Sequence, residues 1–230
     1  MNVLPPPAIT ARFDVVTEEV SSSRFRWSLL AVRDTNRLLD AITPDQFEAD
    51  GRLPYWADLW ASSPALAGHL RQRPGLAGKK LLELGCGLGL AGIAAAQSGA
   101  TVLMTDYEED ALEFARFNAA MNLECRELSR VTFRCMDWRI AEIPETFDVI
   151  IGADIAYERR NFEPLLSLVR KLLRPGGAFL LADPDRDTGR EFVRLAGSGG
   201  FSVSEHRSPV NHRGRDLTVI LSEFLRKEEG

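Results

Sequence analysis

The sequence predicts an α/β fold: a mostly parallel sheet with helices on both faces and a small β appendage at the N-terminus. Three observations carry that reading. The stretch from Lys79 to Asp106 runs as buried strand, glycine turn, helix, second buried strand and acid, which is one βαβ unit. Further along, apolar runs of strand length alternate with amphipathic helical segments, the pattern of a sheet wound with crossover helices. Before the unit, the β-leaning runs 13–20 and 25–32 flank Ser21-Ser22-Ser23 and read as a hairpin or a pair of edge strands. Residues 1–50 are therefore expected to form an extension or cap, and residues 51–230 the main domain.

Within the βαβ unit Gly85, Gly87 and Gly89 alternate, so the chain can turn sharply and a ligand can approach with no Cβ in the way. The helix starting near Leu88 aims unpaired N–H groups at the same place. Asp106 closes the second strand about 20 residues after the first glycine, where an acid accepts hydrogen bonds from ribose hydroxyls. The unit is expected to bind a ribose-bearing cofactor. The dinucleotide pattern Gly-x-Gly-x-x-Gly/Ala fails when counted from Gly85, at Leu90, but succeeds from Gly87 through Gly89 and Gly92. On the glycines alone a nicotinamide or flavin unit stays open.

Glu83 extends the spacing to Glu-x-Gly-x-Gly-x-Gly, which resembles motif I of the seven-strand methyltransferases that use S-adenosylmethionine. The resemblance implies a Rossmann-like seven-strand sheet, mostly parallel with the last strand antiparallel. It also implies S-adenosyl-L-methionine as cofactor, its amino-acid and ribose portion over the glycines and its ribose on Asp106. Cys86 in the loop, Tyr107 after the acid and Ala153 at the end of the fourth strand are expected to complete the cofactor wall.

The remaining elements follow in order. Pro5, Pro6 and Pro7 make an extended lead-in, and 38–42 a helical turn before a loop over 45–51. Tyr55, Trp56 and Trp60 fall within six positions, ahead of helical spacing over 65–70. Trp56 reads as core; Trp60 is the candidate to face the cofactor's sulfonium. Residues 108–121 form an amphipathic helix with acids in its first turn. Val131–Cys135 reads as a third strand, followed by Asp137 and Trp138, placed to hold an adenine edge and face. The run 147–157 is a fourth strand entering a loop that carries Asp154, near the expected topological switch. A helix over 162–173, the turn Arg174-Pro-Gly-Gly177 and a strand over 178–182 lead to Asp183-Pro-Asp-Arg186. A helix over 191–196 and a final strand pair, 201–205 and 217–222, close the domain, with a solvated tail from Phe224. Between that pair a loop over 206–215 carries Arg207, Arg213 and Arg215, expected as a basic rim that meets an acidic feature of the substrate.

Composition removes several classes. Hydrophobic content of 45% and charged content of 27% are ordinary for a globular chain. A net charge of −5 with no Lys/Arg run argues against a nucleic-acid surface. Three cysteines with no Cys-x-x-Cys pair supply neither a zinc site nor a disulfide framework; Cys125 and Cys135 are expected half-buried. His69 has no ligand partner at metal spacing and reads as a surface or helix-end residue, so no metal is expected. No apolar run approaches the roughly 20 residues a membrane span needs. The first residues lack a signal peptide's basic and apolar regions, so a reducing cytoplasm is the expected setting.

The resemblance narrows with Pro54-Tyr-Trp-Ala-Asp-Leu-Trp60, the glycine motif, and Asp154-Ile-Ala-Tyr157 in that order. Together they are similar to the small protein-lysine methyltransferases with an Asp-x-x-Tyr motif after strand four. The Pro-Tyr-Trp-Ala start and Asp183-Pro-Asp-Arg186 are similar to the electron-transfer flavoprotein β lysine methyltransferases and their bacterial relatives. There the pattern is Asp-Pro-Gly-Arg, from which Asp185 departs. The resemblance implies that Asp154 holds and orients an incoming amine and that Tyr157 lines the acceptor channel. Three readings remain at this stage: a protein-lysine methyltransferase, a small-molecule N-methyltransferase for an amine or nicotinamide-like ring, and a non-catalytic cofactor-binding module. The Asn/Asp-Pro-Pro-Tyr/Phe motif of base methylation is absent.

Overall fold

The computed structural model describes residues 4–43, 45, 51 and 53–226. Most of the loop expected over 45–51, and residues 227–230, lie outside them. Strands β1 (Val15–Ser22) and β2 (Phe25–Val32) form an antiparallel hairpin, as the two β-leaning runs predict, with Val15 opposite Val32. A helical turn at Asn36–Asp40 and a 3₁₀ turn at Tyr55–Ala57 precede α1 (Ser62–Gln72). The main domain then runs β3 (Lys80–Leu84), α2 (Leu90–Gln97), β4 (Thr101–Asp106), α3 (Glu109–Asn122), β5 (Val131–Cys135) and β6 (Phe147–Ala153). It continues through α4 (Phe162–Leu172), β7 (Leu173–Asp183), α5 (Asp187–Ser198), β8 (Phe201–His212) and β9 (Arg215–Arg226).

The sheet has seven strands in the order β5-β4-β3-β6-β7-β9-β8. The five strands β3 to β7 are mutually parallel, and β9 alone runs against its neighbours β7 and β8. Leu81, Leu82, Val102, Met104, Ile150 and Ile151 are buried. Such continuous apolar runs suit strands covered on both faces by helices. Chain order reverses between β3 and β6, which pair directly. The crevice that opens at their carboxyl ends is the standard ligand position of an open α/β sheet.

Two expectations are corrected at the C-terminal edge. The segment 206–215 is not a loop: β8 and β9 continue through it and reverse only at Arg213-Gly214, with φ of 51° and 75°. Positive φ at both positions matches the two-residue turn whose twist suits a hairpin. Both faces of this hairpin end are largely exposed, so it carries no hydrophobic alternation for the sequence to display. The tail expected to be solvated from Phe224 is corrected at its first residue: Phe224 is fully buried and stacks on Phe179 with centroids 5.2 Å apart, whereas Leu225 is exposed.

The N-terminal hairpin is joined to the domain by a side-chain substitute for strand pairing. Asn118 of α3 accepts the Leu30 N–H at 2.7 Å and donates to the Leu30 carbonyl at 3.1 Å. One turn later Asn122 accepts the Ser28 N–H at 3.0 Å and donates to the Ser28 carbonyl at 2.8 Å. Alternate residues of β2 therefore meet asparagines at i and i+4, which share one helix face. Asn118 also donates to the Leu88 carbonyl at 3.0 Å, so the hairpin is tied to the glycine loop itself. Trp27 buries its ring and donates to Gln97 at 3.0 Å. Replacing Asn118 with Leu should lower unfolding free energy by about 2–4 kcal/mol, because buried backbone groups of β2 lose their partners. Denaturant unfolding reads the loss, and amide exchange at Leu30 should accelerate; unchanged exchange there would show that the asparagine does not hold the strand.

Candidate active site

The glycine loop turns where its residue types require it. Gly85, Gly87 and Gly89 have φ of 64°, 50° and 84°. A Cβ on Gly85 would lie 2.9 Å from Ile155, and one on Gly87 would lie 3.2 Å from the Trp56 carbonyl. Both glycines thus combine a left-handed backbone with a close neighbour. Gly89 caps α2 and faces Ala115 of α3. The loop forms the floor of an open cleft at the carboxyl ends of β3 and β6. Of the thirteen site residues expected from the sequence, Gly89 alone does not line that cleft.

Asp106 anchors the glycine loop to the end of β4. Its Oδ2 accepts the Gly87 N–H at 2.8 Å, and its Oδ1 accepts those of Tyr107 at 2.8 Å and Glu108 at 3.1 Å. Burial pushes its carboxyl up to about 6 in spite of those donors, which favour the ionised form. Glu83 lies deeper, 3% exposed, and burial raises it to about 8. Its Oε2 is buried with no hydrogen-bond partner among the described residues, beneath Gly92, where an added Cβ would collide with that oxygen. Burial also pushes the Cys86 thiol well up, which leaves it unreactive. At the far side Asp137 is ion-paired to Arg139 at 2.7 Å, and the Arg139 guanidinium covers the Tyr107 ring at 5.6 Å. Trp138 packs toward Gly85.

The opposite wall is aromatic. The Tyr55 ring meets Trp60 at 5.8 Å and Tyr157 at 5.5 Å, both edge to face, and the Trp60 indole donates to the Tyr55 carbonyl at 2.8 Å. Burial raises the Tyr157 hydroxyl to about 12, so it stays a neutral phenol near pH 7. Trp56 packs its ring against Phe13 and Phe114, as a core residue, yet the residue also lines the cleft. Asp154 has a φ of 57°, uncommon without glycine, and its carboxyl is nearly fully buried. Its Oδ2 accepts the N–H of Ser62 at the start of α1, 3.2 Å away. Its Oδ1 lies 2.7 Å from Arg186 Nη2, off the hydrogen-bond direction. Desolvation raises this acid, and Arg186 and Ser62 oppose the rise.

The arginine segment is placed as its strand direction predicts. β8 runs parallel to the core, so the hairpin tip emerges on the cleft side. Arg213 is not free there: it pairs with Asp58 at 2.7 Å and lies 3.8 Å from Glu18 of β1. Arg207 lies 3.8 Å from Asp185. Asp185 has a φ of 60°, the left-handed backbone that a glycine in Asp-Pro-Gly-Arg would adopt; aspartate tolerates it and adds an ion pair to Arg190 at 2.8 Å. Cys125 and Cys135 are exposed rather than half-buried. His69 sits late on α1, partly buried, and burial lowers its pKa. No metal-ligating cluster occurs among the described residues. No helix among them is long and apolar enough to cross a membrane. Sequence reasoning did not mark Ser62 or the pairing of Arg186 with Asp154, since nothing local ties positions 92 and 32 residues apart.

Residues 51–195 match the lysine methyltransferase family, well over half of the chain. The chain belongs to that family. It is 36% identical over 128 residues to protein N-lysine methyltransferase METTL21A of Xenopus tropicalis, covering 55% of this chain and 59% of the relative. It is 32% identical over 136 residues to the electron transfer flavoprotein beta subunit lysine methyltransferase of Danio rerio, covering 58% and 51%. The chain thus spans little more than half the length of these relatives. The glycopeptide N-methyltransferase MtfA, solved with S-adenosyl-L-homocysteine, shares the fold at a TM-score of 0.60 and 18% identity, over 80% of this chain and 98% of that one.

The raised Glu83 carboxyl has a direct consequence for this family member. The folded state holds the Glu83 proton up to about pH 8, whereas an unfolded glutamate loses it near 4.5. Stability is therefore fullest below pH 4.5 on this account and falls as pH rises toward 8. Glu83→Gln should flatten that decline, gaining on the order of 2–4 kcal/mol relative to wild type at pH 8.5. Thermal unfolding of both proteins from pH 5 to 9 tests it; parallel curves would show that Glu83 is ionised in the fold.

Proposed function

We propose that this protein transfers the methyl group of S-adenosyl-L-methionine to the ε-amino group of a lysine in a protein substrate. The observation that carries the reading is the convergence of three sequence-distant features on one cleft: the glycine loop, Asp106, and the Asp154–Tyr157 corner. Family membership and relatives named as lysine methyltransferases support it.

The cofactor fits the residues present. Loop glycines leave a floor without side chains, Asp106 stands at the carboxyl end of β4, and the buried Glu83 Oε2 has capacity for a donor. Asp137 and Trp138 line the side suited to an adenine. Bound there, S-adenosylmethionine supplies an electrophilic methyl group on a sulfonium. The chain's own task is to deliver a neutral amine. A free lysine has a pKa of about 10.4, so near pH 7.4 about one in a thousand is unprotonated. Tyr55, Trp60 and Tyr157 wall the acceptor side with apolar surface, which favours the uncharged amine. Asp154 accepts a hydrogen bond from the amine and so directs its lone pair, while α1 holds the carboxylate through Ser62. With nitrogen and carbon near ~3–3.5 Å and in line, positioning supplies much of the acceleration.

The exposed arginines Arg207 and Arg215 are the side chains we assign to an acidic feature of the substrate, Arg213 being held by Asp58. Arg215→Glu should raise KM several-fold; an unchanged KM would remove the rim from the substrate contact. A reducing cytoplasm is the setting that suits the exposed Cys125 and Cys135 side chains, which form no disulfide with each other.

Radiolabelled methyl transfer from S-adenosylmethionine into a cell extract, separated by size, tests the function. A discrete labelled protein, absent with Asp154→Ala, is the expected result. Label confined to small molecules would replace the protein acceptor with a metabolite amine.

A further inference from the structure

We propose that Arg186 is a positioning residue that presents Asp154 to the incoming amine with its charge already compensated. This deepens the lysine-acceptor reading above and rests on it.

Arg186 stands in the turn between β7 and α5 and is fixed on three sides. Its Nη2 lies 2.7 Å from Asp154, its Nη1 donates to Asp183 at 3.3 Å, and its guanidinium carbon sits 5.7 Å from the centre of the Trp60 ring. Its backbone N–H donates to Asp183 at 2.9 Å, which sets the turn. Asp154 and Trp60 both line the cleft, and Arg186 does not. One guanidinium therefore stands behind the acid and the aromatic face of the acceptor wall, and acts through them. Asp154 cannot drift from it: the backbone N–H donates to Ala182 at 2.9 Å, and the carboxylate is tied to the N-terminus of α1.

The arrangement answers a difficulty of the chemistry. A bare carboxylate next to a lysine stabilises the ammonium and raises its pKa, opposite to what methyl transfer needs. A cation held against that carboxylate opposes the rise and leaves an oxygen able to accept a hydrogen bond from the neutral amine. The other titratable groups facing Asp154 are Asp183 at the end of β7 and His212 at the tip of β8. Asp183 is itself shared with Arg186, and burial favours neutral His212, so Arg186 is the cation that compensates Asp154.

The carboxyl-carbon titration of Asp154, followed by NMR with S-adenosyl-L-homocysteine present and assigned with Asp154→Asn, tests this without any acceptor. Arg186→Gln should move the midpoint upward by about one pH unit or more. Asp183→Asn, which leaves the guanidinium to Asp154 alone, should move it downward. An unchanged midpoint in either folded variant overturns the proposal. The rate of protein labelling in the extract gives a second readout: in Arg186→Gln its rising limb should shift to more alkaline pH, whereas a uniform loss at every pH assigns Arg186 a structural role only. If wild type labels no protein, the lysine reading fails, and the titration still decides the role of Arg186.

Discussion

The contact on which the ligand face depends is the hydrogen bond from the Gly87 N–H to Asp106, 2.8 Å long. It joins the turn after β3 to the end of β4, so the floor of the cleft and its acid are set by one another. Every neighbour of the loop reinforces that geometry. Ile155 and Trp138 close on Gly85, the Trp56 carbonyl on Gly87, and Ala115 on Gly89. A loop with three positive φ angles is costly for any residue but glycine, and here the surroundings over-determine it. Asn118 extends the same rigidity outward, since its amide bonds the Leu88 carbonyl and the β2 backbone together.

Around this floor the fold concentrates acids that water would otherwise solvate. Glu83, Asp106, Asp154 and Asp183 are all buried near the carboxyl edge of the sheet, and burial raises every one. Each is met by a different device. Asp106 collects backbone N–H groups, Asp154 takes the start of α1, and Asp183 takes a backbone N–H in the turn before α5; Glu83 keeps one oxygen without a partner among the described residues. Buried acids with perturbed pKa values and spare acceptor capacity are what a site for hydroxyl and amine donors requires, and they oppose the stability of the empty fold. Stability and binding pull against each other at the same four side chains.

Much of this protein follows from local chemistry in its sequence. The βαβ unit, the five parallel strands and the position of the cleft rest on apolar runs of strand length, glycines at alternate positions and an acid at a strand end. Those signals are short-range, because period and turn geometry act within a few residues. The clustering of the expected site residues was legible for the same reason: all but Gly89 line one cleft. What the sequence misread was the C-terminal edge: a hairpin exposed on both faces shows no alternation, and the burial of Phe224 depends on Phe179, far away in the chain.

Tertiary structure alone decided how the acids are held. Nothing near Asp154 in sequence announces Ser62 or Arg186, nothing near Asn118 announces β2, and nothing near Arg213 announces Asp58. Sequence determined which groups could do the chemistry, because that is a matter of residue type and local spacing. The fold determined which of them meet, because partners separated by tens of residues are chosen by how the sheet and its helices pack.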